Sequence, residues 1–158
     1  MRFAGSYYAE LLTGECWWGI SQQDKEFHQA MNDLDVCRVA FGVFPISHDK
    51  SGNVLTSTSW IIIGKDGRCV WKNLPSRLHN LLLCRTPDKA SPCDISLGKE
   101  GSYFVRFLDG KTHYCLPAAL AAECENLETR GGQVTYIAFN PESYDYIIRY
   151  TENEEEYF

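Results

Sequence analysis

Apolar and polar positions alternate along this chain in a rhythm that returns at a fixed interval. The short turns Thr13-Gly14, Asp66-Gly67, Asp109-Gly110 and Glu152-Asn153 set the frame. Four residues after each Gly or Asn stands a large aromatic residue: Trp18, Trp71, Tyr114 and Tyr157. Seven residues before it stands another: Tyr7, Trp60, Tyr103 and Tyr146. Both series advance by 53, 43 and 43 residues. Two aromatic series with the same spacing predict four tandem copies of one unit, over about 1–35, 36–92, 93–132 and 133–158 of a single domain.

The unit reads as three strands and a helix. Asp-Gly between β-prone runs signals a hairpin, and a type I′ turn is expected because Gly supplies positive φ. WIIIGKDGRCVW and YFVRFLDGKTHYC each give two strands around such a turn, YDYIIRYTENEEEYF repeats it with Asn, and YYAELLTGECWW is the weakest match. A further strand is expected before each hairpin, at Arg2-Phe3-Ala4, Cys37 to Phe41, Asp94 to Leu97 and Val134 to Phe139. Helices follow the first three hairpins. The first has Ser21 as its N-cap and buries Phe27 and Met31. The second starts with Pro75 and carries Leu78 and Leu82. The third starts with Pro117, carries Leu120, Cys124 and Leu127 on one face, and ends at Gly131-Gly132. The fourth copy is read as ending at Phe158 before any helix.

One such sheet cannot bury its own faces, so neighbours must stack. Cys16 with Trp18, and Cys69 with Trp71, share a strand face and belong to a repeated core layer. The expected fold is therefore mainly β with short helices: four three-stranded antiparallel meanders with linking helices, closed as a propeller-like ring or left as a curved stack.

Composition narrows the function classes. The 158 residues are 44% hydrophobic and 23% charged, which is globular composition. The longest uninterrupted apolar stretches, such as Trp60-Ile61-Ile62-Ile63, are far short of a membrane span. The first residues, MRFAGSYYAELL, lack the apolar stretch of a secretory signal, and the seven cysteines show no paired spacing. A cytoplasmic protein with reduced thiols is expected. The net charge of −6 is concentrated between Pro141 and Phe158, where Glu142, Asp145, Glu152, Glu154, Glu155 and Glu156 face Arg149 alone. No basic stripe or anchor is present, so neither nucleic acid nor a membrane is an expected partner.

The runs FVRFLDG and WKNLPSRLHNLL resemble a eukaryotic repeat of strand, Asp-Gly, aromatic, Leu-Pro and helix, a type with no assigned activity. The period resembles that of WD and hemopexin propellers in length and strand rhythm, without the Trp-Asp signature. That resemblance implies an interaction platform.

The search for chemistry is mostly negative. No Cys-x-x-Cys occurs, and His113 with Cys115 makes at most half a metal site, more simply read as a surface His beside a packed Cys. His28 and His79 fall on predicted helices with a solvent-facing role, and no catalytic elbow accompanies any cysteine. No cofactor or metal is expected, and Gly98-Lys99-Glu100-Gly101 reads as a loop between strands. Two features remain as candidate ligand-binding surfaces. One is the insertion from Pro45 to Thr58, which breaks the repeat in one copy and offers His48, Asp49, Lys50 and Asn53; a neutral loop is the alternative. The other is Trp17, which must face away from Trp18, either packing under the first helix or binding. The expected function is a non-catalytic module for a protein or peptide partner. A lectin-like carbohydrate module and a cysteine-dependent enzyme are the alternatives.

Overall fold

A computed structural model of the chain describes residues 7–10, 16–19, 24–48, 50–86, 89–140, 143–153 and 155–158, with the side chains of 7–10, 16–19, 44–46 and 54–55 outside that description. The described residues are mainly β, with three helices. A two-stranded ribbon, β1 (Tyr7–Glu10) and β2 (Cys16–Gly19), comes first. Helix α1 (Lys25–Asp33) leads into a sheet of β3 (Val36–His48), β4 (Val54–Gly64) and β5 (Cys69–Lys72). Helix α2 (Ser76–Leu83) leads into β6 (Pro92–Leu97), β7 (Tyr103–Phe107) and β8 (Thr112–Cys115). Helix α3 (Ala118–Thr129) leads into β9 (Gln133–Phe139), β10 (Tyr146–Glu152) and β11 (Glu155–Tyr157). Each three-stranded sheet is an antiparallel meander in chain order, and no strand pairing among the described residues joins the sheets into a closed barrel.

The core is explained by β4. Its run Trp60-Ile61-Ile62-Ile63 is at most 1% exposed, although successive strand residues point to opposite faces. Trp60 and Ile62 pack with Phe27, Ala30, Met31 and Leu34 from α1 and its end. Ile61 and Ile63 pack with Leu78 and Leu82 of α2 and with Ile95, Tyr103 and Val105 of the second sheet. The second sheet repeats the device. Phe104 turns the other way, into a cluster with Leu120, Cys124 and Leu127 of α3 and Val134, Ile137 and Ile148 of the third sheet. Each helix thus fills a layer that a sheet face would otherwise leave open to water. Full burial of an Ile or Phe side chain is worth about 1.5–3 kcal/mol, so these layers carry most of the stability.

The first strands of successive sheets lie against one another, and their register is common. Phe41, Leu97 and Phe139 are paired with Trp60, Tyr103 and Tyr146, respectively. A Cβ on Gly42 would come within 2.8 Å of Leu97 Cβ, and one on Gly98 within 2.9 Å of Phe139 Cγ. Polar contacts close the same joints. Arg38 Nε donates to Asp94 Oδ1 at 3.2 Å, Arg106 Nε donates to Asp94 Oδ2 at 3.0 Å, and the Phe139 amide donates to Ser96 Oγ at 3.1 Å. Burial pushes the Asp94 carboxyl up, but its bonds from Arg106 and Arg38 outweigh that and hold it below the ordinary aspartate value.

Several expectations need correction. The Asp-Gly hairpins exist, but their turns are not type I′. Gly64 and Arg68 close a loop in which Gly67 N–H donates to Gly64 O and Gly67 alone takes positive φ (+81°); Phe107, Lys111 and Gly110 (+82°) repeat it. This is a type I turn followed by a left-handed glycine, with Asp66 and Asp109 accepting the amides of Arg68 and Lys111. Pro75 and Pro117 are N-caps rather than first helical residues. Ser21 lies outside the described residues, and the N-cap of α1 is Asp24. The stretch from Pro45 to Thr58 is not a loop: β3 and β4 continue through it, with Pro45 opposite Thr56 and His48 opposite Val54. The strand expected at Arg2 to Ala4 is outside the described residues. The helix stripes are as expected: Phe27, Met31, Leu78, Leu82, Leu120, Cys124 and Leu127 are all buried. Gly131 and Gly132 cap α3, donating to Glu128 O and Leu127 O.

Asp24 ties α1 to the first sheet. Its Oδ1 accepts from the amides of Glu26 and Phe27, and its Oδ2 accepts from Trp60 Nε1 at 3.1 Å and Lys72 Nζ at 3.0 Å. Burial raises its pKa, but the bonds from Trp60, Lys72 and Phe27 prevail and the group sits below the ordinary aspartate value. Loss of a cap costs about 1 kcal/mol and an orphaned buried donor about as much again, so Asp24→Ala should lower the unfolding free energy by about 2–3 kcal/mol in urea melts. Because the folded pKa is depressed, this contribution is complete above the unfolded pKa and vanishes as pH falls through the folded one. The stability gap between the native chain and Asp24→Asn should therefore narrow as pH drops below the ordinary aspartate range, and a constant gap would contradict the assignment.

Candidate functional site

Two surface features carry chemistry, an arm and a cleft. The arm is the outer half of the β3–β4 hairpin. Antiparallel pairing continues from Gly42 opposite Ser59 to His48 opposite Val54, whereas β5 pairs with β4 only at Trp60–Ile63. A two-stranded projection of seven residues on β3 and six on β4, about 20 Å at the usual rise, thus extends past the third strand. Asn73, in the left-handed region at φ 53°, marks the point where the third strand stops; its amide donates to Ser57 Oγ at 3.0 Å and Thr58 O at 3.3 Å. Beyond it no strand among the described residues pairs with either edge of the arm. From Val54 to Ser59 the β4 side of the arm carries no charged residue.

The structure gathers three of the sequence candidates at the arm's tip. His48 ends β3, Lys50 lies in the turn and Asn53 precedes β4, all exposed. Asp49 is outside the described residues. Trp17 lies elsewhere, in β2 opposite Ala9, and its side chain is outside the description.

The cleft holds about 650 Å³ and lies between the end of α2 with Arg85, Lys89 and Ala90 on one side and the β7–β8 hairpin on the other. Leu81, Ala90 and Phe107 give it an apolar wall. Arg85, Lys89, Lys111 and His113 line it, and among the described lining residues Asp109 is the only carboxylate. Arg85 is fixed. Its Nη2 donates to Lys89 O at 2.8 Å and to Ala90 O, and its guanidinium lies over the Phe107 ring, 5.3 Å from the centroid. Its Nε is enclosed without an acceptor. His113 meets Phe107 edge-on at 5.8 Å. Asp109 accepts from Lys111 Nζ at 2.9 Å and from the Lys111 amide, which together hold its carboxyl below the ordinary value.

Sequence reasoning did not find this cleft. Its residues come from two segments more than 15 positions apart, Leu81 to Ala90 and Phe107 to His113, and no local motif links them. Arg85, Lys89 and Lys111 are spread over 27 positions with Asp88 and Asp109 among them, so the sequence carries no signal that they meet. The corresponding turn of the first sheet has Gly64, Asp66, Arg68 and Val70 in place of Phe107, Asp109, Lys111 and His113, so the same set is not repeated there.

The remaining chemistry is structural. His79 is not a solvent-facing residue, since its Nδ1 accepts from Trp71 Nε1 at 3.0 Å. Cys69 and Trp71 pack on the core between the first two sheets, as their shared face required, and Cys115 joins them there. Among the described residues no group of three His, Cys, Asp or Glu side chains is placed to hold a metal ion. Burial pushes the thiols of Cys37 and Cys93 up and those of Cys69 and Cys124 up to about 11, the reverse of what activates a nucleophile. No helix of the described residues is long and apolar enough to cross a membrane. No protein family, no curated protein and no solved structure matches the chain.

Thiol accessibility follows from these positions. With a mild alkylating reagent at neutral pH, Cys84, the exposed one of the six described cysteines, should label first among them, and Cys69 and Cys124 only after denaturant is added. Peptide mass mapping reads the order, and rapid labelling of Cys69 or Cys124 in the folded chain would contradict the packing described.

Proposed function

We propose that this chain is a non-catalytic binding module for a protein or peptide partner, which it engages through the β3–β4 arm. The scaffold behind the arm is read as four copies of one three-strand unit, with β1 and β2 as part of the first copy, set in a propeller-like ring or a curved stack. The common register of Phe41, Leu97 and Phe139 against Trp60, Tyr103 and Tyr146 supports the repeat. The absence of disulfides among the described cysteines fits a cytoplasmic setting.

The observation that carries the reading is the arm's β4 edge, which no strand among the described residues pairs beyond Asn73. A strand edge presents backbone N–H and C=O groups that add a further strand readily, and proteins usually blunt such edges with charge or proline. The β4 edge from Val54 to Ser59 has neither, and its Thr and Ser residues favour an extended backbone. An extended peptide that adds a strand here would gain main-chain hydrogen bonds, and the tip residues His48, Lys50 and Asn53 would contribute to choice of partner.

The test is a trimmed arm. Val43 and Thr58 face each other, so replacing residues 44–57 with Asn-Gly closes a two-residue hairpin in register. The trimmed chain should keep its melting temperature within about 5 °C, because the core layers lie elsewhere. It should lose the partners that the intact chain captures from a cell extract, identified by mass spectrometry. Capture of the same partners by both forms would overturn the reading.

A further inference from the structure

The cleft beside α2 is separate from the arm, and nothing in the binding reading above uses it. Its chemistry is two-sided. One wall is apolar, formed by Leu81, Ala90 and Phe107, and the rim is cationic. Arg85 and Lys89 have no carboxylate partner among the described residues, and Lys111 shares Asp109 only. Arg85 in particular is not a free surface charge. It is held over the Phe107 ring by two backbone carbonyls, with its Nε closed off from solvent and unpaired. A guanidinium fixed in this way, with no carboxylate partner among the described residues, can offer its remaining N–H groups to an oxyanion without losing further side-chain freedom.

We propose that this cleft binds a small organic anion, with a phosphate or carboxylate group set among Arg85, Lys89 and Lys111 and a flat apolar body against Phe107 and Leu81. A cleft of about 650 Å³ suits a ligand of that class. Neither half of the site suffices alone. A bare inorganic anion leaves the apolar wall wet, and a neutral aromatic leaves Arg85 without a counter-charge.

The experiment is a titration of the full chain followed by backbone amide NMR shifts. Phenyl phosphate and benzoate are the probes, with inorganic phosphate and phenol as single-feature controls. Phenyl phosphate or benzoate should produce saturable shifts at residues 85, 86, 89, 90 and 107–113, and the tighter of the two identifies the oxyanion. Each control should bind at least about fivefold more weakly than that probe, a difference of about 1 kcal/mol. Lys89→Gln with Lys111→Gln changes exposed side chains and should leave the melting temperature unaltered while weakening the better probe about fivefold or more. The proposal is overturned if neither probe shifts these amides saturably at about 10 mM, a range that would detect even millimolar binding. It is equally overturned if inorganic phosphate or phenol binds as tightly as the probes, or if the double variant binds unchanged.

Discussion

A short sheet that is apolar on both faces has no stable existence alone, and this fold is organised around that constraint. In β4 the four residues Trp60, Ile61, Ile62 and Ile63 are all buried, although alternate ones point in opposite directions. The first sheet must therefore be covered twice, by α1 on one side and by α2 with the second sheet on the other. The second sheet inherits the same need through Phe104, which α3 and the third sheet satisfy. The series does not continue on the far side of the third sheet in the same way, where Ile147 is 62% exposed.

Close stacking needs room at the joints, and glycine supplies it. Gly42 and Gly98 occupy the residue after Phe41 and Leu97, where the next first strand comes close enough to exclude a Cβ. The polar groups at these joints are arranged to suit. Arg38, Asp94 and Tyr136 stand at one register position in successive sheets, opposite Ile63, Arg106 and Arg149. Asp94 is nearly enclosed and is neutralised by an arginine on each side of the joint. A buried carboxylate without these partners would cost several kcal/mol, so the pairing fixes how the two sheets meet as much as it stabilises them.

The sequence made the local part of this legible. Strand pairs around Asp66-Gly67 and Asp109-Gly110, and helix stripes such as Leu120-Cys124-Leu127, follow from periodicities that span one element. Turn type was harder, since Asp-Gly suits both a type I′ turn and a type I turn closed by a left-handed glycine, and strand twist and loop length decide between them. The arm was hidden by its composition: Pro45, Gly52 and a run of Ser and Thr read as loop, yet a hairpin this far from the core tolerates them. Asp24 was overlooked because Ser21 satisfies the same capping preference, and only the position of Trp60 and Lys72 distinguishes them. The cleft was invisible for a different reason. Its charge is assembled by the approach of α2 to the β7–β8 hairpin, a tertiary event with no local spacing.

The two sites proposed for function lie where the stacking rule does not reach. The arm leaves the core layers, and the cleft opens at the end of a helix that fills one. The close packing at the joints between sheets can be measured directly. Gly98 has φ −116°, a conformation open to any residue, so the effect of Gly98→Ala reports the contact with Phe139 rather than backbone strain. The measurement is a double-mutant cycle of Gly98→Ala and Phe139→Ala by urea unfolding. Close stacking predicts that Gly98→Ala alone costs about 1–3 kcal/mol and that the cost shrinks by at least about 0.5 kcal/mol once Phe139 is truncated. A neutral Gly98→Ala, or costs that add within about 0.3 kcal/mol, would contradict it.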